Sequence, residues 1–203
     1  SVLIPARAEE AVSPMIVSEM ADSTEYPALE ADIPVITSEG KSNVKIAGVK
    51  SKNKLVRYTI PETLLRADEN FLALMVEAEK YIGYPYVYGG SKPSTGFDCS
   101  GFVCWVFRQS GVYDTGRLGA KGLYSLCTDV SRDEARPGDL VFFTKTMGAD
   151  VKGITHVGIY VGNNMMLHAG DPVGFADLQS DKWAKKIYAF GRLPVQQGAQ
   201  ADE

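Results

Sequence analysis

The chain is poor in the residues that would staple, ligate or anchor it. Only three of its 203 residues are cysteines, Cys99, Cys104 and Cys127, too few and too odd in number for a disulfide scaffold. None sits in a C-x-x-C pair, which argues against structural zinc and thioredoxin-like redox chemistry. The two histidines, His156 and His168, stand 12 residues apart without nearby acidic ligands, half a zinc site at best. No apolar run approaches the roughly 18 residues of a membrane-spanning helix, so no transmembrane segment is expected. No basic-then-apolar leader opens the chain, and a start at Ser1 fits a processed protein and an excised fragment equally. Charge of one sign is also lacking: 21 basic against 25 acidic residues give a net charge of −4 and no electrostatic reason to expect nucleic-acid binding. No internal repeat is visible.

What is present is ordinary for a globular protein, 45% hydrophobic and 23% charged, in a length that suits one domain with an appendage or two small ones. That length can bury a sizeable core without staples. Aromatics are unevenly spread. Residues 1–66 hold two, Tyr26 and Tyr58, of the 20 in the chain. Acids crowd residues 1–40, eight against the single base Arg7, and bases crowd residues 41–66, seven against Glu62. So few aromatics build little core, and charge blocks of this kind are ordinarily solvated surface. Residues 1–30 read as a flexible tail or linker and 31–66 as an extended arm, with short strands rich in Val and Ile at 33–37, 43–49 and 55–60.

Core-forming periodicity starts near Ala67. Asp68 predicts an N-cap for a helix to Ile82, with Phe71, Leu74, Met75, Ala78 and Ile82 on one face and Gly83 as the stop. A Gly- and Pro-rich stretch, 83–96, leads to a second helix over 99–110 capped by Gly111, and a third covers 120–127. From Pro137 the period changes to that of strands, at 139–144, 155–161, 165–169 and 187–193. Helices followed by antiparallel strands make an α+β domain over 67–194, with a polar tail at 195–203. A chain starting near Ala67 is therefore expected to fold by itself.

Three residues stand out chemically. Cys99 opens the second helix, where first-turn N–H groups and the helix dipole favour a thiolate and a nucleophile. An isolated cysteine is also commonly just a small buried residue, and Cys104 and Cys127 read that way. His156 alternates with Gly158 and Tyr160 on one face of its strand, while Val157, Ile159 and Val161 take the other. Gly158 clears space for close approach by another group. His168 lies on the next strand. A thiol, a base and an orienting partner would make a nucleophilic set, and two satisfied structural histidines would make none.

Five segments, in order, carry a resemblance. They are Pro85-Tyr86-Val87-Tyr88-Gly89-Gly90, then Phe97-Asp98-Cys99-Ser100-Gly101-Phe102-Val103, then Arg136-Pro137-Gly138-Asp139-Leu140-Val141-Phe142-Phe143, then His156-Val157-Gly158-Ile159-Tyr160-Val161-Gly162-Asn163, and last Leu167-His168-Ala169. In that order and spacing, residues 70–194 resemble the NlpC-like cell-wall cysteine peptidases, a bacterial branch of the papain-like fold. The resemblance implies Cys99 as nucleophile, His156 as general base and His168 as the orienting residue. It implies Tyr88 beside the nucleophile, with its hydroxyl and the Cys99 N–H serving the oxyanion. Asp98 and Ser100 match residues that in relatives hold the free amino end of a peptidoglycan stem peptide. The implied reaction cleaves between γ-linked D-glutamate and the next diamino acid, through an acyl-enzyme, with no metal and no other cofactor. The implied partner is the stem peptide and the implied place is extracellular or cell-wall associated, inferred from substrate. Alternatives are a thiol amidase or acyltransferase on another amide or ester, and a catalytically inert wall-binding module. Two features depart from the pattern: a long loop at 145–154, and residues 1–66, which match no targeting domain of the family.

The triad makes a demand on strand register. His156 and His168 share a face only if paired residue numbers sum to an even number. A two-residue Asn163-Asn164 loop pairing Gly162 with Met165 would separate them. An odd-length loop or a bulge is therefore expected.

Overall fold

Asp68 caps its helix as expected, its carboxylate accepting the Phe71 N–H at 3.0 Å. The computed structural model describes residues 36–195. In chain order these form β1 (Ile36–Lys41), β2 (Lys45–Ile46), β3 (Val49–Lys50), β4 (Lys54–Tyr58), α1 (Glu62–Arg66), α2 (Glu69–Ala78), β5 (Ser91–Lys92), β6 (Gly96–Phe97), α3 (Cys99–Gln109), α4 (Ala120–Leu126), β7 (Thr128–Val130), β8 (Leu140–Thr144), β9 (Ile154–Gly162), β10 (Met165–Ala169), β11 (Val173–Asp177) and β12 (Ile187–Arg192). The helix expected to reach Ile82 stops at Ala78, and its last turn tightens into a 3₁₀ segment, Glu79–Tyr81. Helix α1 and strands β5, β6, β7 and β11 were not expected. Each spans five residues or fewer, too short to show a period in sequence.

Six strands form one antiparallel sheet in the order β11-β10-β9-β8-β12-β7. Helices α3 and α4 lie against β9, and α3 also meets β10. On that side Leu140, Phe142, Val157, Ile159 and Leu167 pack with Phe102, Val103, Val106 and Phe107 of α3. The other side carries Val141, Phe143, Met166 and Phe190, closed over by Leu178 and Trp183. Both sides of β8 are thus buried, which explains its unbroken Leu-Val-Phe-Phe run. The architecture is the expected α+β one, helices packed on an antiparallel sheet.

The N-terminal limit differs from the expectation of a body beginning at Ala67. Tyr58 and Ile60 are part of the main core, and Leu55 is buried at 4% exposure. Strand β4 lies against β11, whose Gly174 approaches so closely that a Cβ there would stand 2.9 Å from the Val56 carbonyl oxygen. Ser51 Oγ donates to Asp171 Oδ1 at 2.6 Å, and the Lys52 N–H donates to Asp171 Oδ2 at 3.0 Å. Ser42 Oγ donates to the Gly83 carbonyl at 2.6 Å. Few aromatics were needed because the arm fills gaps in a core built by others rather than building its own. Strand β1 pairs with β4, and the expected strand at 43–49 is a short hairpin of β2 and β3. The tail expected at 1–30, the first residues of the strand expected at 33–37, and residues 196–203 lie outside the described residues.

The β9–β10 hairpin contains the expected irregularity. Asn163 and Asn164 form the two-residue turn, both at positive φ (50° and 57°), with Gly162 paired to Met165. Tyr160 then pairs with Met166 and Ile159 with Leu167, so Val161 is bulged out. The bulge converts an odd register sum to an even one and returns His156 and His168 to one face. The arm braces this turn. Asn163 Nδ2 donates to the Tyr58 hydroxyl at 3.2 Å, and Leu64 packs where a Gly162 Cβ would be, 2.7 Å away.

Candidate active site

Cys99 is the first residue of α3 and is 8% exposed. Its helix starts where it does because Asp98 Oδ1 accepts the Gly101 N–H at 2.7 Å. Gly101 must lack a side chain, since its Cβ would lie 2.1 Å from the Gly90 carbonyl oxygen. The helix N-terminus was expected to depress the thiol pKa. The opposite holds in the resting protein: burial, then the Asp98 charge, push Cys99 above its ordinary value. The backbone N–H groups of Val157, Ser100 and Cys99 itself pull it down without prevailing. The Val157 amide brings the sulfur to strand β9, one residue from His156.

The two histidines are hydrogen-bonded to each other, His156 Nε2 to His168 Nδ1 at 2.8 Å. Trp183 stacks on the His156 ring, centroids 5.2 Å apart at 25°, and meets His168 edge-on at 5.1 Å. Phe143 covers another side of His156. Gly158 makes room for Met166 and His168 rather than His156: a Cβ there would sit 2.8 Å from the Met166 sulfur and 3.2 Å from the His168 Cβ. Burial, reinforced by the Lys182 ammonium, lowers the His156 pKa to about 3. Burial first, then His156, then Lys182 hold His168 well below its ordinary value. Near neutral pH the resting site therefore contains a neutral thiol and two neutral imidazoles.

This burial has a consequence for stability. Both histidines take up a proton near pH 6.5 when unfolded and resist it when folded. The unfolded chain binds more protons between pH 6.5 and about 3, so stability is full above that window and is lost as pH falls through it. The expected slope is on the order of 1 kcal/mol per pH unit for each histidine. Denaturant melts at pH 7, 6 and 5 should show this fall, and His156→Gln/His168→Asn should flatten it. An equal slope in the double variant would place the proton uptake elsewhere.

Asp98 and Ser100 flank the thiol and are bonded to each other, Ser100 Oγ donating to Asp98 Oδ1 at 3.2 Å. Arg117, from the loop between α3 and α4, bonds to both. Tyr88 is 79% exposed, at the rim. The tyrosine coupled to Cys99 is Tyr86: burial, then the charges of Cys99 and Asp98, push its phenol up to about 12. A bridge between Tyr86 and Phe97 sets it beside the start of α3. In an extended segment residues 86 and 88 take the same side only where the chain is regular, and the turn at Gly89 (φ 75°) breaks that regularity. Sequence reasoning missed Tyr86, Arg117, Lys182 and Trp183, since none carries a local signal of contact with residues 99, 156 or 168. A cavity of about 430 Å³ adjoins His168, walled by Lys54 and Val56 of the arm and by Asp171, Ser180, Lys182 and Trp183. Among the described residues no three His, Cys, Asp or Glu side chains gather as a metal-binding group. No helix among them is long and apolar enough to cross a membrane.

A family model described as NlpC/P60 matches residues 83–192. The chain is 46% identical over 121 residues to the bifunctional muramidase/DL-endopeptidase CwlT of Bacillus subtilis, covering 59% of this chain and 36% of that protein. It is 41% identical over 120 residues to the gamma-DL-glutamyl hydrolase of the same organism, covering 58% of this chain and 28% of that protein. A solved structure from Staphylococcus aureus, similar to a lipoprotein of the NLP/P60 family, is 42% identical with a TM-score of 0.58, over 62% of this chain and 42% of that one. The matched segment thus spans about a third of these relatives' length. The family match at 83–192 contains Tyr86, Tyr88, Asp98, Cys99, Ser100, Arg117, His156, His168 and Trp183.

Proposed function

This chain belongs to the NlpC/P60 family, and on that premise we propose that it is a cysteine endopeptidase of peptidoglycan stem peptides, cutting between γ-linked D-glutamate and the following diamino acid. The observation that carries this reading is the 2.8 Å bond between His156 Nε2 and His168 Nδ1. On this reading His168 is the acceptor of that bond. With Nε2–H donated to His168, the lone pair of His156 is left on Nδ1, free to take a proton from Cys99. A neutral thiol and a neutral imidazole make His156 a general base acting as the sulfur attacks, rather than half of a standing ion pair.

The sequence of steps follows. The Cys99 proton passes to His156 Nδ1 while sulfur bonds to the γ-carbonyl carbon. The Cys99 N–H and the Tyr86 hydroxyl, protonated up to about pH 12, serve the oxyanion, and Tyr88 at the rim contacts the peptide. The carbon–nitrogen bond breaks as His156 protonates the leaving amine, giving a thioester. Water, deprotonated by His156, releases the glutamate carboxylate and restores the thiol. On this reading the enzyme works at the cell wall, outside the membrane.

The test is digestion of purified peptidoglycan followed by mass spectrometry. Released peptides with a new amino group on the diamino acid support the reading. Cleavage elsewhere, transfer to an added amine, or wall binding without release would each overturn it. His168 is tested separately. Asn offers an acceptor oxygen close to the position of Nδ1, so His168→Asn should retain about tenfold more activity than His168→Ala if one bond of about 1.4 kcal/mol is at stake. His168→Gln should also exceed Ala, though its oxygen sits one carbon further out. Equal activity in wild type and His168→Ala, corrected for folded fraction, would leave a Cys99–His156 dyad.

A further inference from the structure

Arg117 makes three hydrogen bonds to the turn that carries Cys99 and a fourth to the backbone beside itself. Nη2 donates to both oxygens of Asp98, at 3.1 and 2.9 Å. Nη1 donates to Ser100 Oγ at 3.0 Å and to the Leu118 carbonyl at 2.5 Å. The residues on either side of the thiol are thus held by one planar group, and both are buried, at 8% and 5% exposure. Two nitrogens fixed in one plane reach the carboxylate and the hydroxyl together, as the single nitrogen of a lysine ammonium does not. Asp98 meanwhile accepts N–H groups from Gly101 and, at 3.1 Å, from Gly89, so it ties the glycine loop to the helix. Its acceptor positions are filled by protein donors.

We propose that Arg117 is a positioning residue for Cys99, clamping residues 98 and 100 in one geometry and neutralising the carboxylate that stands beside the sulfur. This rests on the reading of Cys99 as the nucleophile. A carboxylate in that place is needed to cap α3, yet its charge opposes the thiolate that must develop next to it. The guanidinium lets the cap remain while its charge is offset. Tyr86, from the loop before β5, is the other titratable group coupled to Cys99, and it stays neutral up to about pH 12, so Asp98 is the standing charge beside the sulfur. On β9, His156 adjoins Val157, whose amide acts on the sulfur, and it is neutral above about pH 3. Lys182 acts on the two histidines from the far side.

The test is the pH dependence of Cys99 alkylation by iodoacetamide, read by peptide mapping so that Cys104 and Cys127 serve as internal references. Arg117→Gln should move the Cys99 profile to higher pH and slow alkylation at pH 7 by about tenfold, the effect of one pKa unit. Arg117→Lys, which keeps charge but not the fork, should fall between. Asp98→Asn/Arg117→Gln removes both charges, keeps a capping oxygen, and should return the profile toward wild type. A wild-type profile in folded Arg117→Gln, or in Arg117→Lys should the Gln variant not fold, overturns the proposal. So does a double variant that stays shifted, since loss of structure alone would not be reversed by a second substitution. Stem-peptide hydrolysis by Cys99→Ala is run alongside. Hydrolysis surviving there defeats the nucleophile reading, whereas Cys99-dependent hydrolysis with unmoved profiles defeats only the role of Arg117.

Discussion

Cys99→Ala is expected to reduce peptide release from purified peptidoglycan to the level of a blank, a loss of at least about 10³-fold. No other thiol is placed to replace it. Cys104 lies inside α3 and donates to the Leu118 carbonyl, and Cys127 donates to Leu123 at the end of α4. Burial pushes the Cys127 thiol up to about 12, so it has almost no thiolate at neutral pH. The substitution removes one sulfur atom at the edge of the core and leaves the Asp98 cap and its bond to Gly101 in place. Melting temperature should therefore hardly move, which separates lost chemistry from lost structure. Release that persists in the folded variant would assign the reaction to another group.

Removal of residues 1–66 is expected to cost the domain its stability. The deletion strips Leu55, Tyr58 and Ile60 from buried positions, together roughly 5–8 kcal/mol of apolar burial. That is comparable with the whole stability of an ordinary domain, about 5–15 kcal/mol. It also unpairs Asp171 from Ser51 and Lys52, bares the β11 face at Phe175, and takes the Tyr58 and Leu64 supports from the Asn163-Asn164 turn. That turn and the adjoining bulge set the register of the two histidines. A chain starting at Ala67 should thus lose its cooperative melt or fall by more than about 10 °C, and its hydrolytic activity with it. A chain starting at Ser51 keeps β4 and should lie between. If the Ala67 chain melts like the full chain, the arm is an ornament and the core begins where helical periodicity does.

Strong local patterns translated directly into structure. Asp68 caps the helix it precedes, Gly83 and Gly111 follow α2 and α3 at positive φ, and the alternation of β9 sets Val157 and His156 on opposite faces. Such features depend on residues within one turn or one pleat of each other, where a single side chain decides the outcome. The bulge at Val161 was legible for a different reason: it follows by parity once two histidines must meet. The arm's place in the core is not legible in its composition, because aromatic content measures whether a segment can build a core, not whether it can complete one.

The sequence by itself determined which atoms are available for chemistry, one thiol at a helix start and two imidazoles on neighbouring strands, and the α+β order of the elements around them. Only the tertiary structure decided their protonation. The helix N-terminus alone would lower the Cys99 pKa, yet burial and Asp98 raise it, and the enclosure by Trp183 and Phe143 drives His156 down to about 3. The desolvation of a charge depends on every group that excludes water from it, and those groups come from residues 86 to 183 of the chain. For the same reason Arg117 had no mark in the sequence: a guanidinium acquires meaning only from the carboxylate that folding sets 2.9 Å away.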